Sequence, residues 1–150
     1  MGRATALATL VAGTLDIAFA MILTLLFGRE IGAMLRYVGS GPFPPAAELG
    51  ALGSLIGLLT HFALMAIMAA IYIYLARRRR ALLDRPLQWG TIYGLATYFV
   101  MNWVVVPLRF ETALPPSLVS TLTQLFAHIV LVGIPIALVA SRTIRRRGFV

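Results

Sequence analysis

The stretch LGALGSLIGLLTHFALMAIMAAIYIYLARRRR, Leu49–Arg80, decides the fold. It carries no formal charge from Leu49 to Ala76 and then closes on Arg77, Arg78, Arg79 and Arg80. A helix needs about 20 apolar residues to cross a hydrocarbon core ~30 Å thick. This segment exceeds that length, so it spans with room to tilt. Its apolar residues do not alternate with polar ones, which excludes a membrane β-strand and leaves a helix that satisfies its own backbone.

Working outward, three further runs have the same character: Thr5–Phe27, Leu87–Leu108 and Ser117–Ser141. The expected fold class is therefore all-α, a polytopic membrane protein in which residues 1–150 form one integral-membrane domain. Its spans are about 5–27, 49–76, 87–108 and 117–141, packed as a four-transmembrane-helix bundle. Composition agrees. Hydrophobic residues make up 60% of the chain and charged residues 12%, against roughly 25% charged in a soluble domain. The mean hydropathy is +0.91.

The net charge is +8, and every basic residue is an arginine. The arginines sit just outside the apolar runs, with no aromatic-interleaved basic face, so membrane topology accounts for them and nucleic acid does not. Arg3, Arg77–Arg80, Arg85, Arg142, Arg145, Arg146 and Arg147 fall on one side, opposed there by Asp84 alone. Arg29, Arg36 and Arg109 fall on the other, balanced by Glu30, Glu48 and Glu111. The positive-inside rule then places both termini in the cytoplasm. Arg77–Arg80 and Arg145–Arg147 are read as topology and lipid-headgroup contacts, and Arg109 with Glu111 as a surface pair. Trp89, Tyr93 and Trp103 suit anchoring at the two ends of the third span.

Two local features bear on the first third. Ala18-Phe19-Ala20 has the form of a signal-peptidase site, but Asp16 precedes it and the apolar run continues to Phe27, so a retained span is expected. Beyond it, Ile31, Met34, Leu35 and Val38 share one helical face, predicting an interfacial helix over residues 29–39.

Cysteine is absent, which excludes disulfides, thiolate metal sites and a thiol nucleophile. Lysine is absent too, which excludes Schiff-base chemistry through that residue. No serine has the context of a nucleophile, so no catalytic residue is assigned and an enzyme is the lesser expectation.

Contact faces in membranes use small and polar side chains, because lipid tails do not drive helices together. Steps of three and four collect such faces. The first span offers Thr9, Gly13, Asp16, Ala20 and Thr24; the second Gly53, Gly57, His61, Met65, Met68 and Tyr72. The third offers Gly90, Gly94, Thr97 and Met101 with Asn102 at its edge; the fourth Thr121, Gln124, His128 and Val132, ending at Pro135. Gly13, Gly53, Gly57, Gly90 and Gly94 are the expected helix-packing positions. Pro135 removes one backbone donor and is expected to kink the fourth span near Leu131.

Asp16 is the costly residue: a carboxylate at bilayer depth costs ~2.5–3.5 kcal/mol on insertion scales. At ~1.5 Å rise per residue, Asp16 lies ~16 Å into its span, and His61 and His128 lie ~18 and ~16 Å into theirs. A buried polar centre of Asp16, His61, Asn102, His128 and Gln124 is therefore expected. Three functions suit it. The first is a proton-responsive site for transport of a small solute or ion, in which burial and Asp–His pairing act against each other. The second is structural, an accessory subunit of a membrane complex whose polar residues specify packing. The third is a haem b held by His61 and His128 with Gly57 leaving room for the macrocycle, or a metal ion held by those histidines and Asp16. Four spans are few for transport, so a homodimer or larger membrane complex is the expected partner beside the lipid bilayer.

From about Gly53 to Arg147 the chain resembles the YagU-like family of bacterial inner-membrane proteins. The resemblance rests on Thr60-His61 with Ala69 and Tyr72, on Gly90 and Gly94, on Pro107-Leu108, and on Phe126-Ala127-His128. It covers roughly two thirds of the chain, and the Gly13–Asp16 segment has no counterpart in it. It implies a multi-pass bacterial inner-membrane protein with paired histidines, and no particular reaction.

Overall fold

The computed structural model describes residues 2–112 and 114–145, and among them there are helices and no strand. α1 is Gly2–Leu26, α2 Ile31–Ser40, α3 Gly50–Arg78 and α4 Arg80–Asp84. α5 runs Pro86–Phe110 and α6 Leu118–Arg145. α1, α3, α5 and α6 are each long and apolar enough to cross a membrane, so the chain is built as a multi-pass membrane protein with four spanning helices. Each lies within a turn or two of its expected bounds. Arg146 and Arg147 lie outside the described residues.

The local signals for these helices are simple. Pro86 opens α5 at the first helical position, where its missing N–H is no loss. Ser117 caps α6, its hydroxyl accepting from the Ser120 amide at 3.3 Å. The end of α3 that carries Arg77 and Arg78 defines an arginine side of the molecule; α2 marks the opposite side.

α6 is the centre of the packing. It lies against α1, α3, α4 and α5, while α1 also packs on α3 and α5 makes extended contact with α6 alone. Ala4, Ala8 and Ala12 of α1 meet Met65, Ala69, Tyr72 and Ile73 of α3 and Val132, Ile136, Ala137 and Ala140 of α6 in one core. The small residues let the backbones approach, as expected where dispersion contacts replace a hydrophobic driving force. α4 is fastened beneath this core: the Leu83 carbonyl accepts from Ser141 Oγ and from Arg145, both at 2.8 Å, and Arg145 also pairs with Asp84 at 2.6 Å.

The glycine faces divide between two tasks. Gly90 and Gly94 lie where α5 meets α6. A Cβ at Gly90 would lie 2.8 Å from Ile134 Cα, and one at Gly94 2.6 Å from Ile129 Cα. The matching position on α6 is Gly133, which the sequence reading overlooked; a Cβ there would lie 2.6 Å from the Gly94 amide nitrogen. Gly53 and Gly57 do something else. Their space is filled by the Ala46 and Leu35 carbonyls, so they receive α2 and the loop after it rather than another spanning helix. Gly32 near the start of α2 and Gly39 near its end both touch the Gly53–Gly57 turn region of α3, so α2 crosses α3 instead of running beside it. The predicted helix over 29–39 is present, with Leu35 and Gly39 turned onto protein.

Two further expectations need a finer account. Pro135 is accompanied by a change of helix type in α6. A π-helical segment, Ala127–Gly133, precedes it, with the Ile134 amide reaching back to the Ile129 carbonyl. Pro107 has the same effect on α5, where Val100–Val105 is π-helical and the Val106 amide bonds to Met101. The proline ring would collide with the carbonyl four residues earlier, and widening the preceding turn relieves it. Arg109 does not pair with Glu111. It donates to the Gly41 carbonyl and, at 2.7 Å, to that of Ser40, tying the end of α5 to the negative end of α2. Tyr37 stacks on Phe110 beside this contact, centroids 4.2 Å apart.

Candidate functional site

Asp16, His61 and His128 come together inside the bundle. Counted from Leu26, Gly50 and Leu118, the helix ends on the α2 side, they lie about 15, 16 and 15 Å deep. α1 and α3 present the first two face to face, and the first turns of the π segment carry His128 to the same level on α6.

His61 is held by two contacts. Its Nε2 lies 2.9 Å from the Gly13 carbonyl, and its Nδ1 lies 3.8 Å from Asp16 Oδ2. A carbonyl oxygen only accepts, so Nε2 carries the proton and donates. Gly13 makes the approach possible, since a Cβ there would sit 2.7 Å from the ring of Phe62. The neutral imidazole then presents the Nδ1 lone pair to Asp16. Lone pair and carboxylate repel, so attraction between the two side chains requires one proton held between them. Either Asp16 is neutral or His61 is cationic, and both arrangements have the same net charge.

His128 is fixed differently. Its Nδ1 donates to the Gln124 carbonyl one turn back, at 3.0 Å, which leaves Nε2 as the acceptor in the neutral ring. Asp16 is within Coulombic reach of both histidines. Gln124 thus contributes its backbone to the centre; its amide makes no hydrogen bond among the described residues. Asn102 is not brought in. Its amide, within the π segment of α5, donates to the Tyr98 carbonyl on its own helix at 3.2 Å.

Aromatic rings bracket the centre. Phe19 and Phe126 meet at 5.2 Å between α1 and α6 toward the α2 side. Phe62 lies edge-on to His61 at 5.2 Å. Tyr98 lies edge-on to His128, centroids 6.0 Å apart, and its hydroxyl is buried with no hydrogen-bond partner among the described residues. Tyr98 escaped the sequence reading because a tyrosine in an apolar helix gives no periodic signal; only the fold brings its ring to His128. Tyr93, expected at the membrane surface, instead donates to the Met68 carbonyl at 2.7 Å and braces α5 against α3.

The residues do not fit a haem. The room expected at Gly57 is taken by the backbone of Leu35, and the His61 nitrogen that would face the iron is committed to Gly13. Nor do Asp16, His61 and His128 converge on a common point: among the described residues no group of three such side chains is arranged to hold a metal ion. Compared with family models, with curated proteins and with solved structures, the chain finds no match.

Proposed function

We propose that the protein is a bacterial inner-membrane protein, both termini cytoplasmic, whose Asp16–His61 pair is a proton-responsive site for the passage of a small solute or ion. The observation that carries this reading is the 2.9 Å contact of His61 Nε2 with the Gly13 carbonyl, from which the tautomer follows. It makes the pair a one-proton device. With one proton the two side chains attract; with none they repel across 3.8 Å. Helices α1 and α3 are coupled directly to that difference, and α6 feels it through His128. A gap of 3.8 Å closes to a hydrogen bond with a movement of under ~1 Å. Kinship with the YagU-like family belongs to the same proposal, as does assembly into a homodimer or larger complex, since four spans leave little room for a pathway within one chain.

A structural role is the second reading, favoured by one observation: the same His61–Gly13 bond is an interhelical contact of the kind that specifies membrane packing. One experiment separates the two. Purified protein is placed in liposomes containing a pH-sensitive dye, and a proton gradient is imposed alone and with candidate ions. The transport reading expects flux that falls at least tenfold in Asp16→Asn. Flux persisting unchanged in that variant removes Asp16 from the mechanism. No wild-type flux under any gradient leaves the packing role.

A further inference from the structure

α5 leans on α6 and stands away from α3, and the space left between α3 and α5 is an apolar groove of about 300 Å³. Ile67, Met68 and Ile71 form one wall; Tyr93, Ala96 and Thr97 form the other. Its floor is braced by the Tyr93–Met68 hydrogen bond. Thr97 offers the groove no free donor, because its hydroxyl bonds to the Gly94 carbonyl at 2.9 Å. The groove therefore suits a hydrocarbon chain rather than a polar permeant.

The walls continue toward the arginine side. On α3 the face that carries Ile67 and Ile71 goes on through Tyr74 to Arg78, by steps of three and four. The Arg78 guanidinium folds back over the Tyr74 ring, 4.6 Å from its centroid, and so lies over the same face. On α5 the face of Tyr93 leads through Trp89 to the helix start, where Arg85 precedes Pro86. The free amides of that helix end add positive potential beside Arg85. Beyond the groove, the helix faces that form its walls thus lead to two exposed arginines, Arg78 and Arg85.

We propose that this groove and its two arginines form a binding site for one anionic phospholipid, with an acyl chain between α3 and α5 and the phosphate held by Arg78 and Arg85. A second copy of the chain is the weaker occupant. Copies inserted the same way would bring their arginine sides together, and Asp84, the only acid there, is already paired with Arg145. The bound lipid completes the packing of α5, which otherwise has one helical neighbour along its length. This inference is independent of proton passage, since none of Asp16, His61 and His128 lines the groove and the test reads binding.

The test uses the full chain in nanodiscs of equal phosphatidylglycerol and phosphatidylcholine, released into detergent for native mass spectrometry. One retained phosphatidylglycerol per chain is expected, at least tenfold above phosphatidylcholine. Arg78→Gln with Arg85→Gln should lower that preference about tenfold. Ala96→Trp, at an exposed groove position, should remove the retained lipid while the protein keeps its elution profile. Equal retention of both lipids by the wild type overturns the proposal. So does retention undiminished in Ala96→Trp, a lipid-free dimer, or equal competition by soluble glycerol phosphate, which would mean an anion site without a groove. Should Ala96→Trp not fold, the arginine pair decides by itself.

Discussion

At the residue scale, the chemistry turns on a backbone oxygen. Gly13 would be read from sequence as a packing glycine, and it is one, with Phe62 against it. Its carbonyl also sets which His61 nitrogen faces Asp16. A double-mutant cycle on Asp16→Asn and His61→Ala should show a coupling of about 0.6–1.7 kcal/mol in reversible unfolding, between the average and the largest values for polar contacts between membrane helices. Strict additivity of the two single variants would mean that the 3.8 Å approach has no energetic content. Asn102 marks the other side of the same lesson. Its place at the edge of a contact face makes it a candidate for a polar centre, but an amide can satisfy itself on its own helix, and here it does.

At the element scale, the glycines and prolines act in pairs. Gly94 and Gly133 let α5 and α6 meet backbone to backbone, so Gly94→Leu should destabilise the protein by at least ~1–3 kcal/mol through overpacking, checked by unfolding in mixed micelles. Gly57→Leu should act locally. Leu35 would be displaced, and amide exchange across Ile31–Ser40 should accelerate while α5 and α6 remain protected. Uniform acceleration over the whole chain would show that α2 is integral to the bundle. Pro135→Ala restores the missing amide and removes the clash that widens the turn before it. Solid-state NMR should then find 127–133 as ordinary α-helix, with the His128 resonances shifted; unchanged π-helical shifts would assign the widening to the Gly94 contact instead.

At the scale of the whole molecule, charge and packing act separately. The arginine excess bears on which side faces the cytoplasm, and reporter fusions at both termini should read cytoplasmic; a periplasmic signal from either end would refute the proposed orientation. Packing is a different matter. A symmetric bundle would place α5 against two neighbours, whereas the chain makes α6 central and leaves a groove beside α3. Nothing in the hydropathy of α5 distinguishes these arrangements, because a membrane helix is apolar on every face whether it meets lipid or protein.

Four spanning helices, their lengths and the Gly90–Gly94 face of α5 follow from the sequence by itself, since a bilayer admits few backbone solutions and those solutions have fixed lengths. So does the suspicion that falls on Asp16, His61 and His128, because polar residues at such depth are costly wherever they point. Tertiary structure alone decided which of the polar residues meet. It set the tautomer of His61, turned Asn102 and Arg109 onto backbone carbonyls, placed Tyr98 beside His128 and gave the Gly53–Gly57 face to α2. The physical reason is that periodicity reports which face of a helix is unlike lipid, whereas the identity of the partner on that face depends on helix rotation, on the π-helical turns before Pro107 and Pro135, and on contacts between residues far apart in the chain.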